Sequence, residues 1–214
     1  MKIHVLTIAL ALCSAPLLAQ APASAPEVQT HASEIGFSYG LPANWEVVDT
    51  NLTLPAVRQN VENEAASEDE KQGAACAQVA LTARHGDPAS VVVVVALPFA
   101  CFGQEMTDKE LPSFASGASE GLRKSFNLGD PLRGAYSLGA HSVWIERARG
   151  TLIGHADTKY TVETVCSILK KGAVCWMIMS ADDAALQTFE HGAVTLDDDA
   201  AAALVPADAF VKQP

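Results

Sequence analysis

Apolar and polar residues alternate from Glu34 to Leu41 (EIGFSYGL), which puts Ile35, Phe37, Tyr39 and Leu41 on one side of an extended chain. This predicts a first strand, then a turn at Pro42-Ala43-Asn44 and a second short strand over 45–48. The stretches 76–84 and 90–97 read as a hairpin about His85-Gly86-Asp87-Pro88. Five consecutive valines, Val91 to Val95, are β-branched and apolar on both faces, so this strand is expected at the centre of a sheet with cover above and below. The period changes after Thr107-Asp108-Lys109-Glu110, a capping box. Leu111, Phe114, Ala115, Ala118, Leu122 and Phe126 recur at helical spacing, with Pro112 tolerable near the first turn and Asn127-Leu128-Gly129 as the stop. Gly117 and Gly121 weaken this helix by about 1 kcal/mol each relative to alanine, and would permit close packing on a sheet.

Alternation then returns. Strands are predicted over 135–138, over 141–148 with Val143 and Ile145 opposite Trp144 and Glu146, and over 159–169 with Tyr160, Val162, Thr164, Cys166 and Ile168 on one face. The last turns at Lys170-Lys171-Gly172 into a partner strand over 173–179. Ser180-Ala181-Asp182-Asp183 opens a second helix whose apolar side is Ala184, Ala185, Leu186 and Phe189, ending at Gly192. A polar Asp197-Asp198-Asp199 and an alanine run follow, and the chain carries no internal repeat.

The start of the chain has a different pattern. Met1-Lys2 is followed by an apolar run from Val5 to Cys13 and then by small residues, the order of a secretory signal peptide spanning 1–21. Cleavage after Ala21 fits the small-x-small rule but leaves Pro22 at the new start, which is unfavourable, and cleavage after Ala19 or Ala23 stands as an equal alternative. The run falls short of the roughly 20 apolar residues of a spanning helix, and bulky Leu12 before Cys13 argues against a lipidation site. Residues 22–33 read as a disordered leader and 34–210 as one folded domain, with an acidic loop at 50–73. In that loop Glu62 to Glu70 holds five acids in nine residues. A solvated surface is expected there, since the spacing of a calcium loop with its central glycine is missing; cation binding is kept as an alternative.

The chain has 214 residues and a formal net charge of −11. That length buries one good core, and the acidity repels phosphate backbones, so no nucleic-acid partner is expected. No transmembrane segment is expected once the signal is removed, and the predicted location is the periplasm or the secreted fraction. Export changes the reading of Cys76, Cys101, Cys166 and Cys175. An even number in an oxidising compartment points to two disulfides, for which three connectivities exist. Cys166 and Cys175 flank one predicted turn and Cys76 and Cys101 another, which favours those two pairs. Zinc is disfavoured because no pair of cysteines lies two residues apart and no His-x-x-x-His is present.

Candidate chemistry is sparse. Gly117-Ala118-Ser119-Glu120-Gly121 matches the G-x-S-x-G of serine hydrolases, but its surroundings already read as helix, and the motif needs a strained strand-to-helix turn. His85, His141, His155 and His191 stand singly at turns or strand edges and read as solvated residues; His4 falls in the signal and His31 in the leader. Phosphate-loop, dinucleotide and Cys-x-x-Cys patterns are missing, so no cofactor is expected. Trp45, Trp144 and Trp176 read as core, and Asn51-Leu52-Thr53 is a glycosylation sequon by pattern alone.

The element order strand–strand, hairpin, helix, meander, helix resembles the PsbP/DcrB-like α/β sandwich. The opening Phe37-Ser38-Tyr39-Gly40-Leu41-Pro42-Ala43-Asn44-Trp45 is similar to that family's aromatic-x-aromatic…Pro-x-x-Trp entry. The resemblance covers 34–196 by element order and implies an antiparallel sheet with helices on its faces, in a largely non-catalytic accessory or binding protein. It assigns no functional residue to this chain, and the acidic stretch and the four cysteines depart from its pattern. The expectation is therefore a single α+β domain, helices packed on the faces of an antiparallel sheet. Its expected role is an exported, non-enzymatic binding or accessory protein of the bacterial envelope, acting on an envelope protein or a small ligand. The alternatives are a small exported serine hydrolase using Ser119 and a cation-binding envelope protein.

Overall fold

The alternating segments pair into two antiparallel sheets in a computed structural model that describes residues 29–51, 75–87, 89–102 and 105–210. In chain order the strands are β1 (Gln29–Ala32), β2 (Phe37–Leu41), β3 (Glu46–Val47), β4 (Gln78–His85), β5 (Ser90–Pro98), β6 (Phe126–Leu128), β7 (Leu132–Leu138), β8 (His141–Leu152), β9 (His155–Ile168), β10 (Gly172–Ser180), β11 (Ala193–Leu196) and β12 (Ala202–Ala203). The helices are α1 (Phe99–Phe102), α2 (Leu111–Arg123) and α3 (Asp183–Glu190). The large sheet runs β3-β4-β5-β10-β9-β8-β6, with β7 also paired to β8; the small one runs β1-β2-β11-β12.

The α+β expectation is corrected by these elements. Among the described residues half are strand and 19% helix, and the three helices are short, so the fold is β-rich and not a sheet covered on its faces by helices. The reason is visible in the pattern. Long alternating strands such as β8 and β9 bury their inner face against a second sheet, which leaves little apolar surface for helices to cover.

The main core lies between the sheets. Phe37, Tyr39 and Leu41 of β2, with Val194 and Leu196 of β11, face Val92, Val94, Ile145, Val165, Trp176 and Ile178 of the large sheet. Phe37 meets Trp176 edge-on, with ring centroids 5.4 Å apart, and Tyr39 and Trp45 both lie against Phe189 of α3. A smaller cluster occupies the outer face, where Leu111 and Ala115 of α2 cover Cys166 and Cys175.

Local differences from the sequence reading have physical causes. β5 is central, between β4 and β10, yet Val91, Val93 and Val95 are only half-buried, because α2 covers a different part of the outer face. The end of the expected leader, Gln29–Ala32, instead pairs with β2. Helix α2 starts one turn later than its capping box: the Glu110 carboxylate accepts from the Thr107 amide at 2.7 Å, but Glu110 itself is the N-cap. Phe126, read as the last helical position, and Asn127 and Leu128, read as part of the stop, belong to β6 and pair with β8. The signal segment 1–21 and most of the acidic loop lie outside the described residues.

Candidate functional site

Among the described residues the buried charges are Glu146 of β8, Glu163 of β9 and Glu190 of α3. Residues of the two strands alternate between the core and the outer face, so adjacent Glu146 and Arg147 point to opposite sides of the sheet.

On the outer face, three donors converge on Glu146 Oε1. Ser116 Oγ of α2 donates at 2.8 Å, Arg133 Nε of β7 at 2.9 Å and Trp144 Nε1 at 3.4 Å. Glu146 is 4% exposed, whereas the Arg133 side chain is 54% exposed. Burial pushes the Glu146 carboxyl up, but the hydrogen bonds from Arg133, Ser116 and Trp144, with the charge of Arg133, outweigh it and hold the group below the usual carboxylate range. A cleft of about 10 Å³ lies alongside, lined by Ser119, Arg123, Leu128, Pro131, Glu146 and Thr164. It has room for about one water-sized sphere.

On the core side, Arg147 joins two carboxylates. Its Nε donates to Glu163 Oε2 at 2.6 Å and its Nη2 to Glu190 Oε1 of α3 at 2.5 Å. The Phe210 ring lies over the guanidinium at 4.4 Å. Glu163 is fully buried, and its Oε1 has no hydrogen-bond partner among the described residues. Burial pushes Glu163 up to about 8; Arg147 opposes that shift and the charge of Glu190 adds to it. Glu190 is also raised, chiefly by burial.

The structure joins Cys76 to Cys101 and Cys166 to Cys175 in disulfides, with Cα separations of 5.8 and 4.2 Å. The first ties the entry of β4 to α1 at the far end of the β4–β5 hairpin. The second bridges directly opposed residues of β9 and β10.

Ser119 is the ninth residue of α2, not part of a strand-to-helix turn. Its buried Oγ has no hydrogen-bond partner among the described residues, so no base holds its proton. His141 departs from the solvated reading. Its side chain is 13% exposed, with Nδ1 3.0 Å from Ile168 O and Nε2 3.2 Å from Asp197 Oδ2. Asp197 Oδ2 also accepts from the Lys170 amide, and Asp199 Oδ2 accepts from the Ala140 amide, so the Asp197–Asp199 turn stitches β11 to two turns of the large sheet. His85 stacks on Trp45, while His155 is exposed at the start of β9 and His191 follows α3.

Trp45 and Trp176 are core residues, and Trp144 packs half-buried beneath α2. Among the described residues no three His, Cys, Asp or Glu side chains are grouped to hold a metal ion, and no helix is long and apolar enough to cross a membrane. The sequence reading missed the partners of Glu146, Glu163 and Arg147. The signal available was charge set beside apolar residues, Glu146 and Arg147 after Val143, Trp144 and Ile145, and Glu163 between Val162 and Val165, since a charge buried in a strand is tolerated only when paired. Comparison with protein-family models, curated proteins and solved structures finds no match.

Proposed function

We propose that this chain is an exported, non-enzymatic binding or accessory protein of the bacterial cell envelope. The observation that carries the reading is the pair of disulfides within one sandwich, since such bridges persist in oxidising compartments. The use of the charged side chains supports a structural rather than catalytic role for them: Glu146 is taken up by three donors, and Arg147 by two carboxylates.

A small ligand or an envelope protein would meet the groove of about 360 Å³ lined by Asn44, Glu46, Arg84, His85, Gly86 and Ala89. Its volume falls within the roughly 300–1,000 Å³ of small-ligand sites. The exposed Arg84–Glu46 pair, 2.8 Å apart, offers both signs of charge at its rim.

The test is capture from envelope extract by the oxidised protein, beside a broad turnover screen. Specific capture weakened by Arg84→Glu, with no turnover, is the expected result. Turnover abolished by Ser119→Ala would overturn the non-enzymatic reading.

A further inference from the structure

One guanidinium serves two carboxylates in the core-side cluster, and the pair of carboxylates spans two elements. Glu163 belongs to β9 and Glu190 to the last turn of α3. Among the described residues Arg147, 25% exposed, is the single cation bridging them. If both were ionised, the buried cluster would carry an uncompensated negative charge, and Glu163 Oε1 would be a buried anionic oxygen without a donor. A proton on Glu163 removes both problems, because the hydroxyl can donate to Glu190 while Oε2 still accepts from Arg147.

The same cluster holds down a continuous stretch of chain. The carbonyl of Glu190 accepts from the Val205 amide at 2.9 Å, Gly192 O accepts from the Leu204 amide at 3.1 Å, and Leu204 O accepts from the Tyr136 hydroxyl at 2.6 Å. Phe210 closes over Arg147. The other charged groups facing the cluster are few. Asp183 of α3 and His191, which follows that helix, act on Glu190, with Arg149 of β8 3.4 Å from Asp183, and Tyr136 faces it from β7.

We propose that Arg147, Glu163 and Glu190 form a proton-controlled latch that fastens α3 and residues 204–210 to the large sheet and loosens as pH rises. This concerns regulation within the fold and does not depend on the envelope role. The latched form binds one proton that the opened form releases. Opening therefore becomes easier between the ordinary carboxylate range and about 8, the value to which Glu163 is pushed, and levels off above it.

Amide hydrogen exchange on the full disulfide-bonded chain from pH 5 to 9, corrected for intrinsic exchange, tests this at Leu186, Phe189 and Val205. The opening constant should rise by up to about tenfold per pH unit and flatten above about 8. Glu163→Gln keeps the neutral shape, and its profile should be flat. Glu190→Gln removes the other carboxylate and should flatten the profile as well, which supplies the answer if the first variant does not fold. A flat wild-type profile, or a slope unchanged in the folded variants, would overturn the latch.

Discussion

Cys166 and Cys175 lie directly opposite each other in the β9–β10 ladder, with Cα atoms 4.2 Å apart, and both are buried beneath α2. The other bridge is placed differently: Cys76 is buried, but Cys101 is exposed. Exchange requires a thiolate to reach a sulfur, so access sets the order of reduction. Mild reductant under native conditions should open Cys76–Cys101 first, followed by alkylation and peptide mapping. Removing either bridge by paired alanines should cost about 3 kcal/mol in urea denaturation. Simultaneous loss of both bridges at low reductant would contradict this burial.

Glu146 makes the outer face sensitive to acid. Its folded carboxyl titrates lower than an unfolded one, so its stabilising contribution is present above the ordinary carboxylate range and is lost as pH falls through the depressed value. Glu146→Ala should cost about 2–3 kcal/mol at pH 7, since three donors lose their acceptor. Urea denaturation at pH 7 and pH 3 checks this, with a smaller cost expected at pH 3. An equal cost at both values would show that the contribution is packing alone. Glu163 acts with the opposite sign: its raised value contributes stability at low pH that declines as pH rises toward about 8.

Glycines separate into two kinds. A Cβ added at Gly117 or Gly121 meets nothing within 4 Å, so these residues lie on the open side of α2 and not against the sheet. Alanine at each should stabilise the fold by about 0.4–1 kcal/mol. At Gly192 an added Cβ would collide with the Tyr39 hydroxyl, which is fully buried and donates to Phe189 O at 2.7 Å. Gly192→Ala should destabilise by about 1–3 kcal/mol. Thermal denaturation of the three variants checks the signs.

The strands were legible because their signal is local. Ile35, Phe37, Tyr39 and Leu41 alternate in the chain and are all buried in the structure, and the hairpins of β4–β5 and β9–β10 follow from turn residues between apolar runs. What covers the sheet was not legible. Whether β2 and β11 join the large sheet or form a second layer depends on pairing across more than 150 residues, for which the period of either segment carries no information. Helix α2 was overextended because Phe126 fits the helical spacing as well as it fits β6. The charge clusters were hidden for the same reason: Glu146 meets Ser116 from a helix 30 residues away, and Glu190 meets Arg147 across 43. Each looks like an ordinary polar position until the fold closes.

The most direct test of the exported, disulfide-bonded account is the intact mass of the protein recovered from the envelope fraction without reductant. The account predicts a product beginning near residues 20–24, about 4 Da lighter than its all-thiol form, two hydrogens being lost per bridge. A product retaining Met1, recovered from the cell interior at the full thiol mass, would contradict it.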